Sequence, residues 1–139
     1  MKTTLEQPIC KVDPNGTKRW YLHDKLHKLH RINGPSIELP DGRKYWYQNG
    51  KLHRINGPAI ESPNGRKEWF QNDKLHRING PSIELPDGRK EWYQNGLCHR
   101  IDGPAIEYSD GSKHWYLNGK KVTEQYVMRQ SLLIMFMII

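Results

Sequence analysis

Histidine and arginine stand side by side at four places in the chain, always 23 residues apart. The pairs are His30-Arg31, His53-Arg54, His76-Arg77 and His99-Arg100, each followed by Ile, by Asn or Asp, and by Gly-Pro. Imidazole nitrogens are common zinc ligands, and guanidinium groups recognise phosphates and carboxylates, so the pattern could serve metal or anion binding. Repetition at one interval instead favours an array of small stacked units over a single catalytic centre.

Metal binding by the repeated histidines is unfavourable on geometric grounds. If each repeat adds two strands at ~4.8 Å, equivalent histidines lie ~9–10 Å apart. Zinc needs its ligands ~2.0–2.1 Å from one ion, so two steps of the ladder cannot share a metal. His23, His27 and His30 are closer together in sequence, at the irregular start of the array. We expect hydrogen-bonding histidines and no metal or other cofactor.

The arginines are matched by glutamates seven residues further along the chain. These glutamates are Glu38, Glu61, Glu84 and Glu107. The pairing predicts an inter-strand charge ladder in which each exposed pair contributes about 0–1 kcal/mol.

Aromatic residues share the 23-residue step. Trp46, Trp69, Trp92 and Trp115 form one series, and the residues directly after them form another. We predict that a protein partner is bound by the second series together with three of the arginines: Tyr47, Phe70, Tyr93, Tyr116, Arg54, Arg77 and Arg100. Aromatics beside basic residues are also typical of sheets that bind nucleic acids or nucleotides, which is a less favoured alternative. The sequence contains no nucleophile–base arrangement and no glycine-rich phosphate loop, so we expect a protein that is not an enzyme.

The elements that position these residues follow from residues 36–58. Lys44-Tyr45-Trp46-Tyr47-Gln48 is typical of a strand, and Asn49-Gly50 is a strong signal for a two-residue hairpin turn. A second turn, Pro40-Asp41-Gly42, lies in the same repeat. Two turns in 23 residues leave no room for a helix. The sequence therefore predicts an all-β, elongated, single-layer antiparallel meander of hairpin repeats over residues 1–122.

Residues 123–139 differ from the repeats. Thr123 is a plausible N-cap for a short helix, and residues 132–139 are all apolar. Eight residues are too few for a membrane span, which needs ~20. We expect Leu132, Leu133 and Phe136 to cap the last sheet edge or to form an oligomer interface, with a membrane-surface anchor as a third alternative.

Composition fits a thin array. The 139 residues are 35% hydrophobic, yet they include five Trp and seven Tyr, and the net charge is +7. Cys98 stands where other repeats have Leu52 or Leu75, which predicts a small buried side chain. Nothing indicates a disulfide framework, and residues 1–8 lack the apolar stretch of a signal peptide. These features favour a reducing, cytoplasmic compartment.

The repeat resembles a known family. Asp41-Gly42, the aromatic pair Trp46-Tyr47, the run 49–53 and Gly57 resemble the MORN repeat, a 23-residue β-hairpin unit, over about residues 8–122. The longer form with His-Arg-x-Asn-Gly-Pro is similar to a variant abundant in giant viruses and large phages. The resemblance implies a scaffold that binds a protein partner, sometimes contacts lipid, and has no chemistry of its own. It also implies an origin in a virus, with the host cytoplasm or the virion as location. A structural component of a viral particle, or a homo-oligomer assembled through the C-terminal tail, is the alternative.

Overall fold

The computed structural model describes residues 7–22 and 25–138. His23, Ile139 and residues 1–6, which figure in the predictions above, lie outside the described residues. The chain divides into two compact units, residues 1–73 and 74–139. Each unit contains an antiparallel meander of short strands, and the second ends in an α-helix. The predicted all-β hairpin meander with a C-terminal helix is therefore confirmed.

The first unit contains ten strands. They are β1 (Ile9–Val12), β2 (Lys18–Leu22), β3 (Lys25–Leu29), β4 (Ile37–Glu38), β5 (Lys44–Tyr45), β6 (Tyr47–Gln48), β7 (Lys51–Leu52), β8 (Ile60–Glu61), β9 (Lys67–Glu68) and β10 (Phe70–Gln71). The main sheet has the order β1-β2-β4-β5-β8-β9, with β3 also paired to β2. Strands β6 and β7 form a separate two-stranded hairpin. Each repeat thus contributes two strands to the main sheet and one small hairpin beside it.

The second unit repeats this plan and adds the helix. Its elements are β11 (Lys74–Leu75), β12 (Ile83–Glu84), β13 (Lys90–Glu91), β14 (Tyr93–Gln94), β15 (Leu97–Cys98), β16 (Ile106–Glu107), β17 (Lys113–Leu117), β18 (Lys120–Val122) and α1 (Glu124–Met137). The main sheet runs β12-β13-β16-β17-β18, and β14 pairs with β15.

The single strand predicted for residues 44–48 is wrong, because Trp46 interrupts it. The Trp46 N–H donates to the carbonyl of Ala59 at 2.8 Å, and its carbonyl accepts from the His53 N–H at 3.0 Å. The chain therefore leaves the main sheet at the tryptophan and enters the small hairpin. Ser36, which is fully buried, holds this crossing: its hydroxyl donates to the Tyr47 carbonyl at 2.8 Å and accepts from the Tyr47 N–H at 3.0 Å.

Both predicted turns are present. Asn49 has φ 51° and Gly50 has φ 78°, the two positive values that a type I′ turn requires. In the other turn the Gly42 N–H donates to the Leu39 carbonyl at 3.0 Å, and Gly42 has φ 90°. This is a type I turn closed by a glycine bulge, the usual three-residue hairpin loop.

The core is thin. The apolar side chains buried among the described residues are Trp46, Ala59, Cys98, Ala105, Ile106 and Val127. Cys98 packs against Ala105 and Ile106, as its sequence position predicts, and burial raises the pKa of its thiol to about 11. Two carboxylates are also buried: Glu68 pairs with Arg66 at 2.5 Å, and Glu91 pairs with Arg89 at 2.8 Å.

Helix α1 begins where the sequence predicts. Thr123 is the N-cap, and its hydroxyl accepts from the Tyr126 N–H at 3.2 Å. Val127 is 2% exposed and anchors the first half of the helix. No helix in the described part of the chain is long and apolar enough to cross a bilayer.

Candidate interaction surface

The repeated histidines connect successive repeats within each unit. In every case Nδ1 accepts a hydrogen bond from the backbone N–H of an asparagine in the next turn. The pairs are His30–Asn49 (2.9 Å), His53–Asn72 (3.1 Å), His76–Asn95 (3.0 Å) and His99–Asn118 (3.0 Å). An Nδ1 that accepts must be unprotonated, so these imidazoles carry their proton on Nε2. Among the described residues, no three His, Cys, Asp or Glu side chains are grouped as metal ligands would be.

Arg31, Arg54 and Arg100, which each follow a histidine, stack on tryptophans. The Arg54 guanidinium carbon lies 3.9 Å from the centroid of the Trp46 ring, and the same geometry joins Arg31 to Trp20 at 4.0 Å and Arg100 to Trp92 at 3.9 Å. Such cation–π contacts contribute about 0.5–2 kcal/mol, more when they are desolvated. Trp20, Trp46 and Trp92 therefore each support an arginine within the protein.

The glycine of the same motif covers the other side of the guanidinium. A Cβ added at Gly57 would lie 3.0 Å from Arg54 Cζ, and one added at Gly103 would lie 2.8 Å from Arg100 Cζ. These glycines do not have positive φ, so the requirement here is for space and not for backbone freedom. The guanidinium is held between an indole ring and a bare backbone.

Hydrogen bonds complete the setting of the arginines. Arg54 Nη1 donates to the Pro58 carbonyl at 2.9 Å and to Glu61 Oε1 at 2.8 Å. The equivalent Arg–Glu distances are 3.3 Å for Arg31–Glu38, 3.0 Å for Arg77–Glu84 and 3.1 Å for Arg100–Glu107. The predicted Arg–Glu pairing is confirmed, but its inter-strand placement is wrong, because each arginine lies in the loop after a strand. Arg54, Arg77 and Arg100 are thus engaged within the protein, which weakens their candidacy as partner-binding residues.

The second aromatic series is half-buried. Tyr47, Phe70 and Tyr93 lie in the strands beside the main sheet and Tyr116 lies in β17 of the main sheet, with part of each side chain accessible. Tyr93 donates its hydroxyl to Glu91 Oε2 at 3.0 Å, and burial together with that carboxylate raises the pKa of the phenol. Burial also raises the pKa of Tyr47, and electrostatic repulsion from Asp73 and Tyr45 raises it further. These rings contribute as much to packing as to the surface.

Each repeat exposes the isoleucine that lies between Arg and Asn, or between Arg and Asp in the last copy. The exposed fractions are 69% for Ile32 and 73% for Ile55 in the first unit, and 73% for Ile78 and 40% for Ile101 in the second. Our sequence analysis missed these residues. A β-branched apolar side chain inside an otherwise polar Asn-Gly-Pro loop is a signal that could have found them, since such loops are normally polar.

The C-terminal candidates are also exposed. Leu132, Leu133 and Phe136 project from α1 and are not buried by the sheet. The helix is attached to the sheet by Val127 and by Ser131, whose hydroxyl donates to the Ile101 carbonyl at 2.7 Å. Two open clefts run along α1, and Ile101 lines both. This contact explains why Ile101 is less exposed than its three counterparts.

Comparison with family models, with curated proteins and with solved structures finds no match for this chain.

Proposed function

We propose that this chain is a non-catalytic protein-interaction module of the MORN-like type, which binds a protein partner through the isoleucine ladder of its repeats: Ile32 and Ile55 in the first unit, Ile78 and Ile101 in the second. One observation carries the proposal. In each repeat the arginine donates a hydrogen bond that fixes the loop, and the same loop exposes an apolar side chain. Exposed apolar residues are common singly, but a regular series marks a contact surface.

The spacing suggests the kind of partner. Within a unit, equivalent loops are separated by two strands of the main sheet, or ~9–10 Å. A segment in the polyproline II conformation advances ~9.3 Å every three residues. An extended peptide with an apolar side chain at every third position therefore matches the two isoleucines of a unit.

The proposed setting is the cytoplasm of an infected cell. Cys10 and Cys98 are both free, which supports a reducing compartment. The resemblance to repeats of giant viruses and large phages supports a viral origin.

Selection from a displayed library of random peptides tests the proposal. We expect the wild-type chain to enrich peptides with apolar residues three apart, and the Ile32→Ser, Ile55→Ser double variant to lose part of that enrichment. The matched control is Lys51→Ser with Lys67→Ser, which changes two exposed residues of the same unit outside the loops. No enrichment by the wild type, or equal enrichment by the isoleucine variant, would overturn the proposal.

A further inference from the structure

The second half of α1 exposes apolar side chains on every side. Residues 132–138 are all apolar and all at least 41% exposed, and the exposed fraction rises from 41% at Ile134 to 88% at Met137. Successive helical residues point ~100° apart, so the six helical residues 132–137 cover the whole circumference. A helix end that is apolar all round is normally surrounded by other apolar matter.

The attachment of the helix leaves this end free of the sheet. Val127 is buried, Ser131 bonds to Ile101, and Ile134 is the last residue that lines a cleft against the sheet. Beyond Ile134 each described residue is at least 65% exposed. The end of the helix therefore projects beyond its last contacts with the sheet.

The charge around the helix is positive. Lys120, Lys121 and Arg129 are exposed, and Glu124 is the one acid between residues 113 and 138. None of the three cations forms an ion pair within the part of the chain that the structure describes. Basic residues beside an apolar helix are the two components of binding to anionic membrane surfaces.

We propose that residues 132–138 insert into the surface of an anionic bilayer, with Lys120, Lys121 and Arg129 at the headgroups. The six helical residues 132–137 extend over ~9 Å, which is within the depth that interfacial helices reach. Acyl chains surround the helix end on all sides. A second copy of the helix would cover only one side, and so short a segment offers less than the ~800 Å² per partner of a stable interface. This inference does not depend on the isoleucine ladder.

Co-sedimentation of the full chain with phosphatidylcholine vesicles, with and without phosphatidylserine, tests the inference. We expect binding to the phosphatidylserine vesicles, weakening in high salt, and about a ten-fold loss of binding for Phe136→Asp. Because Phe136 is 74% exposed, this variant should keep the circular dichroism spectrum and melting temperature of the wild type.

The matched control is Val12→Asp, an apolar residue of β1 that is 62% exposed and lies outside the isoleucine ladder, and it should leave vesicle binding unchanged. Equal sedimentation of the wild type and Phe136→Asp would overturn the inference. So would a dimer, measured by light scattering without lipid, that Phe136→Asp dissociates. Failure of the peptide selection would not affect these outcomes, so the two proposals fail separately.

Discussion

The guanidinium group of one arginine joins several parts of its repeat. Arg54 is bounded by the Trp46 ring on one side and Gly57 on the other, while its Nη1 reaches the Pro58 carbonyl and Glu61. Arginine suits this role because its flat face stacks while its edge donates hydrogen bonds. The arginine and the glycine of the motif are therefore explained by one packed guanidinium group and the space that it needs.

The space requirement predicts coupling between Gly57 and Arg54. Gly57→Ala should lower the free energy of unfolding by about 1–2 kcal/mol, because the new methyl group would displace a guanidinium fixed by four partners. In an Arg54→Ala background most of that cost should disappear. Urea denaturation of the two single variants and the double variant measures the coupling. Additive effects of the two substitutions would show that the glycine is needed for another reason.

His30, the first of the four repeated histidines, predicts that the stability of the fold decreases in acid. Burial lowers the pKa of His30 below its ordinary value, and its Nδ1 must be unprotonated to accept from Asn49. The unfolded chain takes up this proton at a pH of about 6.5, so the folded state is favoured above that value. Stability should fall as the pH drops from about 6.5 through the lower pKa of the folded state.

Urea midpoints for the wild type and His30→Gln, measured between about pH 7.5 and pH 5, test this expectation. The wild type should lose more stability over that range than the variant, which has no imidazole to protonate. Parallel pH dependence of the two proteins would contradict it.

At the scale of elements, the type I′ turns connect the two strands of each small hairpin. Asp73 occupies the place of Gly50 in the next repeat, with φ 65°, and its carboxylate accepts from the Leu52 N–H at 2.7 Å. Aspartate is one of the few residues that tolerate this conformation. The turn thus accepts a side chain that both fits positive φ and finds a hydrogen-bond donor.

This comparison yields a graded prediction for Gly50. A Cβ there would meet only Lys28, at 3.7 Å, so crowding is slight and the backbone decides the cost. Gly50→Val should lower the unfolding free energy by more than about 1 kcal/mol, because a β-branched residue is strained at positive φ. Gly50→Asp should cost less. Thermal unfolding of both variants tests the order, and equal stability of Gly50→Val and the wild type would rule out the turn assignment.

The elements that sequence could predict are those fixed locally. Asn49-Gly50 and Gly42 require positive φ, and Thr123 caps a helix whose first turn contains Glu124, so their positions follow from neighbouring residues alone. The interruption at Trp46 depends on a hydrogen bond to Ala59, thirteen residues away, which no local pattern reveals.

The candidate surface was harder to predict for the same reason. The Arg–Glu pairs could be inferred from the sequence, because each of the four arginines has a glutamate seven residues after it. The occupation of the arginines by tryptophan and glycine requires knowing which residues meet in space. Ile55, which directly follows Arg54 in the sequence, is 73% exposed.

At the scale of the whole molecule, the repeat is the unit of stability. In the first unit, β5 pairs with β4 and β8, and β8 pairs with β9, so each repeat is stabilised by the one before and the one after. Arrays of this kind gain stability as a sum over repeats and their interfaces. A complete repeat should therefore be removable, whereas part of one should not.

Excision of residues 36–58 joins Pro35 to Ala59, which occupies the same place in the repeat as Ser36. We expect a folded protein with one cooperative urea transition and an m-value reduced roughly in proportion to the lost surface. Excision of residues 36–47 is the matched control: it removes β4, β5 and the Trp46 crossing but leaves half a repeat, and should abolish cooperative unfolding. If the two excisions behave alike, or if removal of the complete repeat destroys the transition, stability does not reside in the 23-residue unit.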